Sequence, residues 1–217
     1  LPGLILFEKI MPVPVPDLPA LFVDLDIFVY GPVEERGKAF GRVHAYLGAL
    51  LEQRAKQSPQ GDIIDLMVAG VKRDGAPCPW EDKVAIALDI VFGGLATTTH
   101  AMSGAIYHLA AHPDIRRDLL ANPTLAGNAV EEIIRLYAPV VAPARTVRKD
   151  IKVAGTQLKA GDRVALNFAA ASRDPEACSN PRKVDIRREE IVHTAFGVGP
   201  HRCIGEHLAR LEVRVAI

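Results

Sequence analysis

The feature that most constrains the fold of this chain is a long helical pattern from Trp80 to about Ala111 with an apolar stretch in its first half. Its helical spacing predicts one helix of roughly 48 Å, at about 1.5 Å per residue. The stretch VAIALDIVFGGLA within it is apolar on almost every side of such a helix. Because only burial on every side accommodates that surface, we expect the helix to lie at the centre of the fold.

The segments before this helix predict further helices. The Pro-rich opening from Met11 to Pro19 is incompatible with a regular helix. A helical pattern then runs from about Val33 to Gln57, and a short helix is expected from Asp62 to about Val71. After the central helix, Pro113 can serve as the first residue of the next one.

The C-terminal third has a different pattern of predicted secondary structure. A helix predicted from about Thr124 to Tyr137 is followed by short β-like runs, a long irregular stretch from about Arg173 to Gly199, and a last amphipathic helix. The β-like runs are Thr146 to Arg148, Ile151 to Val153 and Val164 to Leu166, and the apolar residues at helical spacing are Ile204, Leu208, Leu211 and Val215. The sequence therefore predicts a mainly α fold with a small β component.

Composition excludes several classes of protein. The 26 basic and 26 acidic side chains of the 217 residues cancel, which argues against nucleic acid or an anionic membrane surface as the main partner. No window reaches the roughly 18 uninterrupted apolar residues of a membrane span. Three distant cysteines, Cys78, Cys178 and Cys203, argue against a disulfide framework or a zinc site. A reducing, cytoplasmic location fits this cysteine usage best.

One of these cysteines lies in an unusual loop, FGVGPHRCIG, residues 196 to 205. Cys203 immediately precedes the last predicted helix, where unpaired N–H groups and the helix dipole favour thiolate over thiol. Gly197, Gly199 and Gly205 allow a close approach to a flat ligand. A thiolate held in this way is how proteins bind haem iron for O–O cleavage.

The loop resembles that of the cytochrome P-450 haem-thiolate monooxygenases, F-G-x-G-x-H/R-x-C-x-G. Chance would fill these positions on the order of 10⁻⁶ times in a chain this long. The resemblance implies a haem b cofactor with Cys203 as axial iron ligand. It also implies that Phe196 shields the sulfur, that Gly197 belongs to the haem-binding loop and that His201 faces a haem propionate. A transition-metal site of His201 and Cys203 without haem lacks further ligands at suitable spacing.

Two other segments match this family in order. Glu132 and Arg135 form an E-x-x-R motif, which alone is a common surface ion pair. The resemblance implies that this pair locks its helix to the irregular segment, with Arg188 as the usual partner. It also implies that Arg145, at the start of a strand, binds a haem propionate; a solvated strand end is the alternative.

The central helix contains a third match, VFGGLATTT. The resemblance implies that Gly93 and Gly94 leave room for dioxygen and that the Thr97 hydroxyl assists its activation. The family's acid before the threonine is replaced by Ala96, which puts proton delivery in doubt. Either of two neighbours on the helix could act instead, namely Asp89 or His100. Asp89 is a candidate acid of the substrate pocket; the alternative is a hydrogen-bonded carboxylate that is buried or lies at the rim. The residues expected to line the pocket are Phe92, Val140 and Val141.

The resemblance is greatest to the soluble bacterial branch that includes camphor hydroxylases. It implies insertion of one oxygen atom into a C–H bond of a small apolar substrate, with electrons from a ferredoxin-type partner. Family members are longer, so the chain is interpreted as an incomplete C-terminal portion; the alternative is a remnant that binds haem or packs structurally without turnover. We expect one domain, made of residues 1–79 (distal lid helices and linker), 80–144 (central and E-x-x-R helices) and 145–217 (β patch, irregular segment, haem loop and last helix).

Basic residues concentrate around the cysteine loop although the whole chain is neutral. We expect those that are exposed to form a positive face for an acidic electron donor, with Arg202 and Arg210 the best candidates. The alternative is a set of solvated or internally paired cations. The residues are Arg182, Lys183, Arg187, Arg188, Arg202, Arg210 and Arg214.

Overall fold

The fold of the chain is mainly helical with two small β-sheets, as predicted. The computed structural model describes residues 2–70, 72 and 74–217. The helices of the described residues are α1 (Pro2–Ile5, followed by a π-helix at Leu6–Ile10), α2 (Leu18–Tyr30), α3 (Val33–Ala55), α4 (Ile63–Ala69), α5 (Trp80–Ala111), α6 (Pro113–Ala121), α7 (Ala126–Tyr137), α8 (Phe168–Ala171) and α9 (Glu206–Ala216).

The strands form two antiparallel pairs among the described residues. They are β1 (Ala144–Thr146), β2 (Ile151–Val153), β3 (Thr156–Leu158) and β4 (Arg163–Ala165). β1 pairs with β4, which places Arg145 opposite Val164. β2 and β3 form a hairpin whose turn residues, Ala154 and Gly155, have φ of 46° and 84°.

Most predicted helices are confirmed, and residues at their ends explain where they begin. Asp62 caps α4 by accepting hydrogen bonds from Ile64 N and Asp65 N, at 2.9 and 3.2 Å. Pro113 is the first residue of α6, as expected. The predicted end of α4 at Val71 lies outside the described residues.

The sequence did not predict α1 with the π-helix that follows it, nor α2, β3 and α8. α2 begins at Leu18, because Pro19 stands in its first turn, where a missing N–H costs nothing. β3 lacks the apolar alternation that would have marked it. α8 is only four residues long, and Asn167 caps it by accepting from Ala170 N at 2.9 Å.

The chain divides into two compact units, Leu1–Ala96 and Thr97–Ile217. In the first unit α2, α3 and α4 pack on the N-terminal segment and the start of α5, around Phe7, Met11, Leu47 and Val91. In the second unit α7 packs against α8 and α9. Its core contains Ala105, Val130, Ile133 and Val213.

The expectation that α5 is buried on every side is wrong for the described residues. The first unit covers one stripe of it, including Val84, Ala87 and Val91, and leaves Ile86 45% exposed. Within the second unit, Tyr107 is 67% exposed. By length and composition alone α5 could also cross a membrane, a test that core helices of soluble proteins pass too.

Candidate functional site

The cysteine loop is a tight structure built on glycine. Cys203 N donates to Phe196 O at 2.8 Å, and Gly197 N donates to Thr194 O at 2.8 Å. Gly197 and Gly199 have φ of 69° and 65°, a conformation that other residues rarely adopt. A Cβ on Gly197 would also lie 3.2 Å from the carbonyl oxygen of His201.

Cys203 is exposed at the edge of this loop. α9 begins at Glu206 with Gly205 as its N-cap, so Cys203 lies slightly earlier than predicted. Its Sγ is 3.9 Å from the Cβ position of Gly205. Two apolar neighbours are also exposed, Val198 at 64% and Ile204 at 96%.

This arrangement fits the haem implied by the sequence. An exposed thiol beside exposed apolar side chains suits a large, flat, apolar ligand whose metal takes one sulfur ligand from the protein. Among residues 2–70, 72 and 74–217, no group of three or more His, Cys, Asp or Glu side chains is arranged to hold a metal ion. The single exposed thiol therefore suits a metal ion whose other ligands come from a cofactor.

Helix α8 ties the predicted pocket residues to the cysteine loop. Ala169 N donates to Val141 O at 3.2 Å. On the other side of α8, Thr194 Oγ1 donates to Phe168 O at 3.2 Å, and the Phe168 ring lies 3.7 Å from the Cβ position of Gly197. Val140 and Val141 are 38% and 56% exposed, so their side chains remain available to a ligand.

The structure brings the E-x-x-R residues together in a fully buried cluster. Arg135 donates to both carboxylate oxygens of Glu132, from Nε at 2.6 Å and from Nη2 at 3.0 Å. Arg188 Nε donates to Glu132 Oε1 at 3.1 Å, and Asp185 N donates to Oε2 at 2.9 Å. The Glu132 carboxylate thus joins α7 to the irregular segment.

Arg135 also donates hydrogen bonds to the backbone of that segment. Its Nη1 donates to Ser172 O at 3.1 Å and to Pro181 O at 2.7 Å, and its Nη2 donates to Lys183 O at 2.9 Å. Burial alone would raise the pKa of Glu132, but hydrogen bonds led by that of Arg135 lower it below its usual value. The cluster is therefore ionised at neutral pH.

Arg145 and His201 are both exposed. Arg145 lies in β1 and its Nη1 donates to the neighbouring Ala144 O at 2.9 Å. His201 ends a short 3₁₀ turn, Gly199–His201, within the cysteine loop. Both side chains are thus accessible to an anionic group of a ligand.

On α5, Gly93 rather than Gly94 faces open space. The Cβ position of Gly94 lies 3.4 Å from Leu6 Cδ2, whereas nothing lies within 4 Å of that of Gly93. Successive residues of a helix point about 100° apart, so the two glycines lie on different sides of α5. By helical spacing Thr97 shares the Gly93 side, and the role of Gly94 at the cofactor stays a prediction.

The other α5 residues have mixed outcomes. Asp89 is exposed, which removes the buried carboxylate alternative. Phe92 is partly buried in an aromatic cluster of the first unit, with its ring centroid 4.5 Å from that of Phe28 and 6.0 Å from that of Phe40. Its ring is thus already packed against protein.

The expectation that Arg202 and Arg210 form a free positive face is wrong. Arg202 donates to both Glu206 oxygens at 2.7 Å. Arg210 Nη1 donates to Glu206 Oε2 at 2.8 Å, and its Nε donates to Glu131 Oε1 at 2.5 Å. Opposite charges one helical turn apart on α9 neutralise each other, and Glu131 of α7 adds a second carboxylate.

These ion pairs leave a clear electrostatic signature. Hydrogen bonds from Arg202 and Arg210 lower the pKa of Glu206 to about 2. Burial would raise the pKa of Glu131, but hydrogen bonds from His193 and Arg210 bring it to about 2. The carboxylates of Glu131 and Glu206 are therefore ionised over the whole physiological range.

Sequence reasoning missed two buried polar groups of the second unit. Glu212 on α9 has a buried Oε2 without a hydrogen-bond partner, and burial raises the pKa of its carboxyl. His108 on α5 is stacked on His112 with ring centroids 4.0 Å apart, and its Nε2 is likewise buried without a partner. The sequence pattern around Glu212 did not reveal its burial, because its chain neighbours Leu211 and Val213 lie on different sides of α9, the first 58% exposed and the second buried.

The sequence of the chain is similar to those of one family of known proteins. Residues 6–217 match the family model described as Cytochrome P450. The chain is 37% identical over 187 residues to the vitamin D(3) 25-hydroxylase of Pseudonocardia autotrophica, covering 86% of this chain and 46% of that protein. It is 34% identical over 212 residues to the cytochrome P450 monooxygenase PikC of Streptomyces venezuelae, covering 97% of this chain and 51% of that protein.

Solved structures give the same result. Substrate-free CYP109E1 from Bacillus megaterium matches with a TM-score of 0.89 at 30% identity, over 99% of this chain and 58% of that one. The chain spans about half the length of the curated relatives it matches. Because the family model covers all but its first five residues, the chain belongs to the cytochrome P450 family.

Proposed function

We propose that this chain binds haem b through the Cys203 thiolate and carries the reaction centre of a monooxygenase. The observation that carries this proposal is the exposed Cys203 thiol on a loop in which Gly197 and Gly199 have positive φ and Cys203 N donates to the Phe196 carbonyl oxygen. A loop that merely buried a cysteine would need neither feature. Membership of the family supplies the independent support.

The proposal also assigns roles to the other residues. Arg145 and His201, both exposed, would hold the propionates, since a guanidinium binds a carboxylate with two parallel hydrogen bonds. Phe196 and Gly197 shape the loop behind the sulfur. Glu132, Arg135 and Arg188 hold the segment that leads into this loop.

When bound, the haem supplies dioxygen binding and O–O cleavage, to which the thiolate donates electron density. Gly93 leaves space on its side of α5, and the Thr97 hydroxyl holds a proton near that space. Since Ala96 has no proton to give, Asp89 or His100 would deliver protons from the exposed side of the helix. An exposed carboxylate exchanges protons with solvent readily.

The substrate we propose is small and apolar. Val140 and Val141 offer exposed apolar surface beside the cysteine loop. One relative is named a vitamin D(3) 25-hydroxylase. The electron donor we propose is a ferredoxin-type protein. With Arg202 and Arg210 paired internally, the exposed cations Arg182, Lys183 and Arg214 are the better candidates for its docking face.

The test is a titration of the chain with haemin, followed by the optical spectrum of the reduced protein with carbon monoxide. We expect binding of one haemin per chain and the thiolate-type absorption that gives the family its name. Intact mass on the same sample fixes which chain is being observed. Cys203→His should abolish that absorption, and the control Cys78→Ser should leave it unchanged; the same spectrum in both variants would overturn the assignment.

A second candidate function is haem binding without turnover. Ala96 in place of an acid favours it. It predicts a normal carbonyl spectrum with no oxygenated product when dithionite or a ferredoxin system supplies electrons. Product formed from an apolar substrate panel would instead support the monooxygenase.

A further inference from the structure

Arg210 is held more firmly than a surface arginine would be. Its Nε and Nη2 donate to the two oxygens of Glu131 at 2.5 and 3.2 Å, and its Nη1 donates to Glu206 at 2.8 Å. Only 27% of its side chain is exposed. Glu131 is fixed in turn by His193, whose Nε2 lies 3.0 Å from Glu131 Oε2.

The flat face of Arg210 covers an aromatic ring. Its Cζ lies 4.5 Å from the centroid of Phe196, within the range of a cation–π contact. A guanidinium can donate hydrogen bonds in its plane while stacking through its face, which an ammonium cannot do. Arg210 therefore binds the two carboxylates and the ring at the same time.

Phe196 connects this cluster to the cysteine. Its carbonyl oxygen accepts the hydrogen bond from Cys203 N at 2.8 Å. On the other side of the loop, Arg202, adjacent to Cys203, is bound to both oxygens of Glu206. Both flanks of Cys203 are thus tied to α9, and Glu131 extends the attachment to α7.

We propose that Arg210 is a positioning residue that holds the Phe196 ring and, through it, the backbone of Cys203. The five residues Glu131, His193, Arg202, Glu206 and Arg210 are called the α7–α9 clamp. Its consequence for iron ligation rests on the proposed function, whereas its effect on the loop does not. An arginine with this many internal bonds is poorly suited to dock an electron donor.

Hydrogen exchange of the haem-free 217-residue chain tests the clamp directly. In Arg210→Gln, the Cys203 amide should exchange about tenfold faster, the factor that corresponds to about 1.4 kcal/mol. The matched control is Arg214→Gln, which removes the same charge from an exposed position one turn further along α9. It should leave the exchange rate unchanged.

Two milder variants keep the test decisive if Arg210→Gln fails to fold. Arg210→Lys retains the charge but loses the fork and the stacking face, so it should still accelerate exchange. Glu131→Gln should do so as well, because it removes one anchor of Arg210. Equal rates in the parent and in the variants at positions 210 and 131 would overturn the clamp.

A second readout uses the haem-loaded chain. Haem transfer to excess apomyoglobin should be several-fold faster in Arg210→Gln than in Arg214→Gln. Phe196→Leu should remove most of the further effect of Arg210→Gln, because the two side chains act as one unit. Fully additive effects would contradict the clamp, while loss of the thiolate-type spectrum in the parent would contradict only the proposed function.

Discussion

Removing the Glu132 carboxylate tests the buried cluster that holds the irregular segment. Glu132 and Arg135 are both 0% exposed. The carboxylate accepts four hydrogen bonds, from Arg135 Nε, Arg135 Nη2, Arg188 Nε and Asp185 N. Glu132→Gln keeps the volume of the side chain but removes the charge and offers only one acceptor oxygen.

The magnitude follows from what the substitution leaves behind. Arg135 stays buried with its positive charge uncompensated, and the loss of one partner from a buried pair costs about 3–5 kcal/mol. Arg135 retains its bonds to the carbonyl oxygens of Ser172, Pro181 and Lys183, which favours the lower end of that range. We expect a loss of about 3 kcal/mol, a large share of the roughly 5–15 kcal/mol that stabilises a typical domain.

Urea unfolding followed by circular dichroism measures this loss. The matched control is Glu189→Gln, at an exposed position of the same segment, which should change the free energy of unfolding by less than about 0.5 kcal/mol. A loss below about 1 kcal/mol in Glu132→Gln, with an unchanged m-value, would refute the reasoning. It would mean that the backbone contacts of Arg135 suffice without the carboxylate.

Three further predictions address the same region. The carboxyls of Glu131 and Glu206 have pKa values of about 2 in the fold against an ordinary value of 4.5. Their stabilising contribution is therefore present above pH about 4.5 and is lost as the pH falls towards 2. Urea unfolding across that window should show the loss, and a free energy of unfolding that does not change with pH would contradict it. Gly197→Ala should destabilise the loop by about 1–2 kcal/mol, because φ is 69° and His201 O is near, whereas Gly127→Ala on α7, where nothing lies within 4 Å, should not destabilise the fold; similar unfolding midpoints for both would be incompatible with the loop geometry. Thr97→Ala should raise peroxide release per electron consumed in the haem-loaded chain, and Ala96→Asp should speed turnover if proton delivery is limiting; unchanged coupling in Thr97→Ala would remove the hydroxyl from the mechanism.

Local features of the fold and site could be predicted from the sequence because their causes are local. The positive φ of Gly197, the first turn of α6 at Pro113 and the Asp62 cap all follow from the chemistry of single residues or near neighbours. The long helix α5 was placed with its correct bounds, because 32 residues of one pattern leave little ambiguity. None of these features requires tertiary information.

Burial and charge pairing could not be predicted in this way. Arg202 and Glu206 are four residues apart and could have been recognised as a pair, but Arg210 meets Glu131 across 79 positions. Nothing in the sequence indicates which carboxylate a given arginine will reach. Likewise the apolar pattern of α5 shows that burial is favoured without showing which side receives a partner, and Leu6 proved to cover Gly94 rather than Gly93.

The central claim is that Cys203 supplies the sulfur ligand of a haem iron. X-ray absorption at the iron edge, on the chain loaded with one equivalent of haemin, measures this most directly. We expect one sulfur neighbour of the iron in the parent and in Cys178→Ser, and none in Cys203→Ser. A shell of nitrogen and oxygen alone in the parent, or a sulfur neighbour that persists in Cys203→Ser, would contradict it.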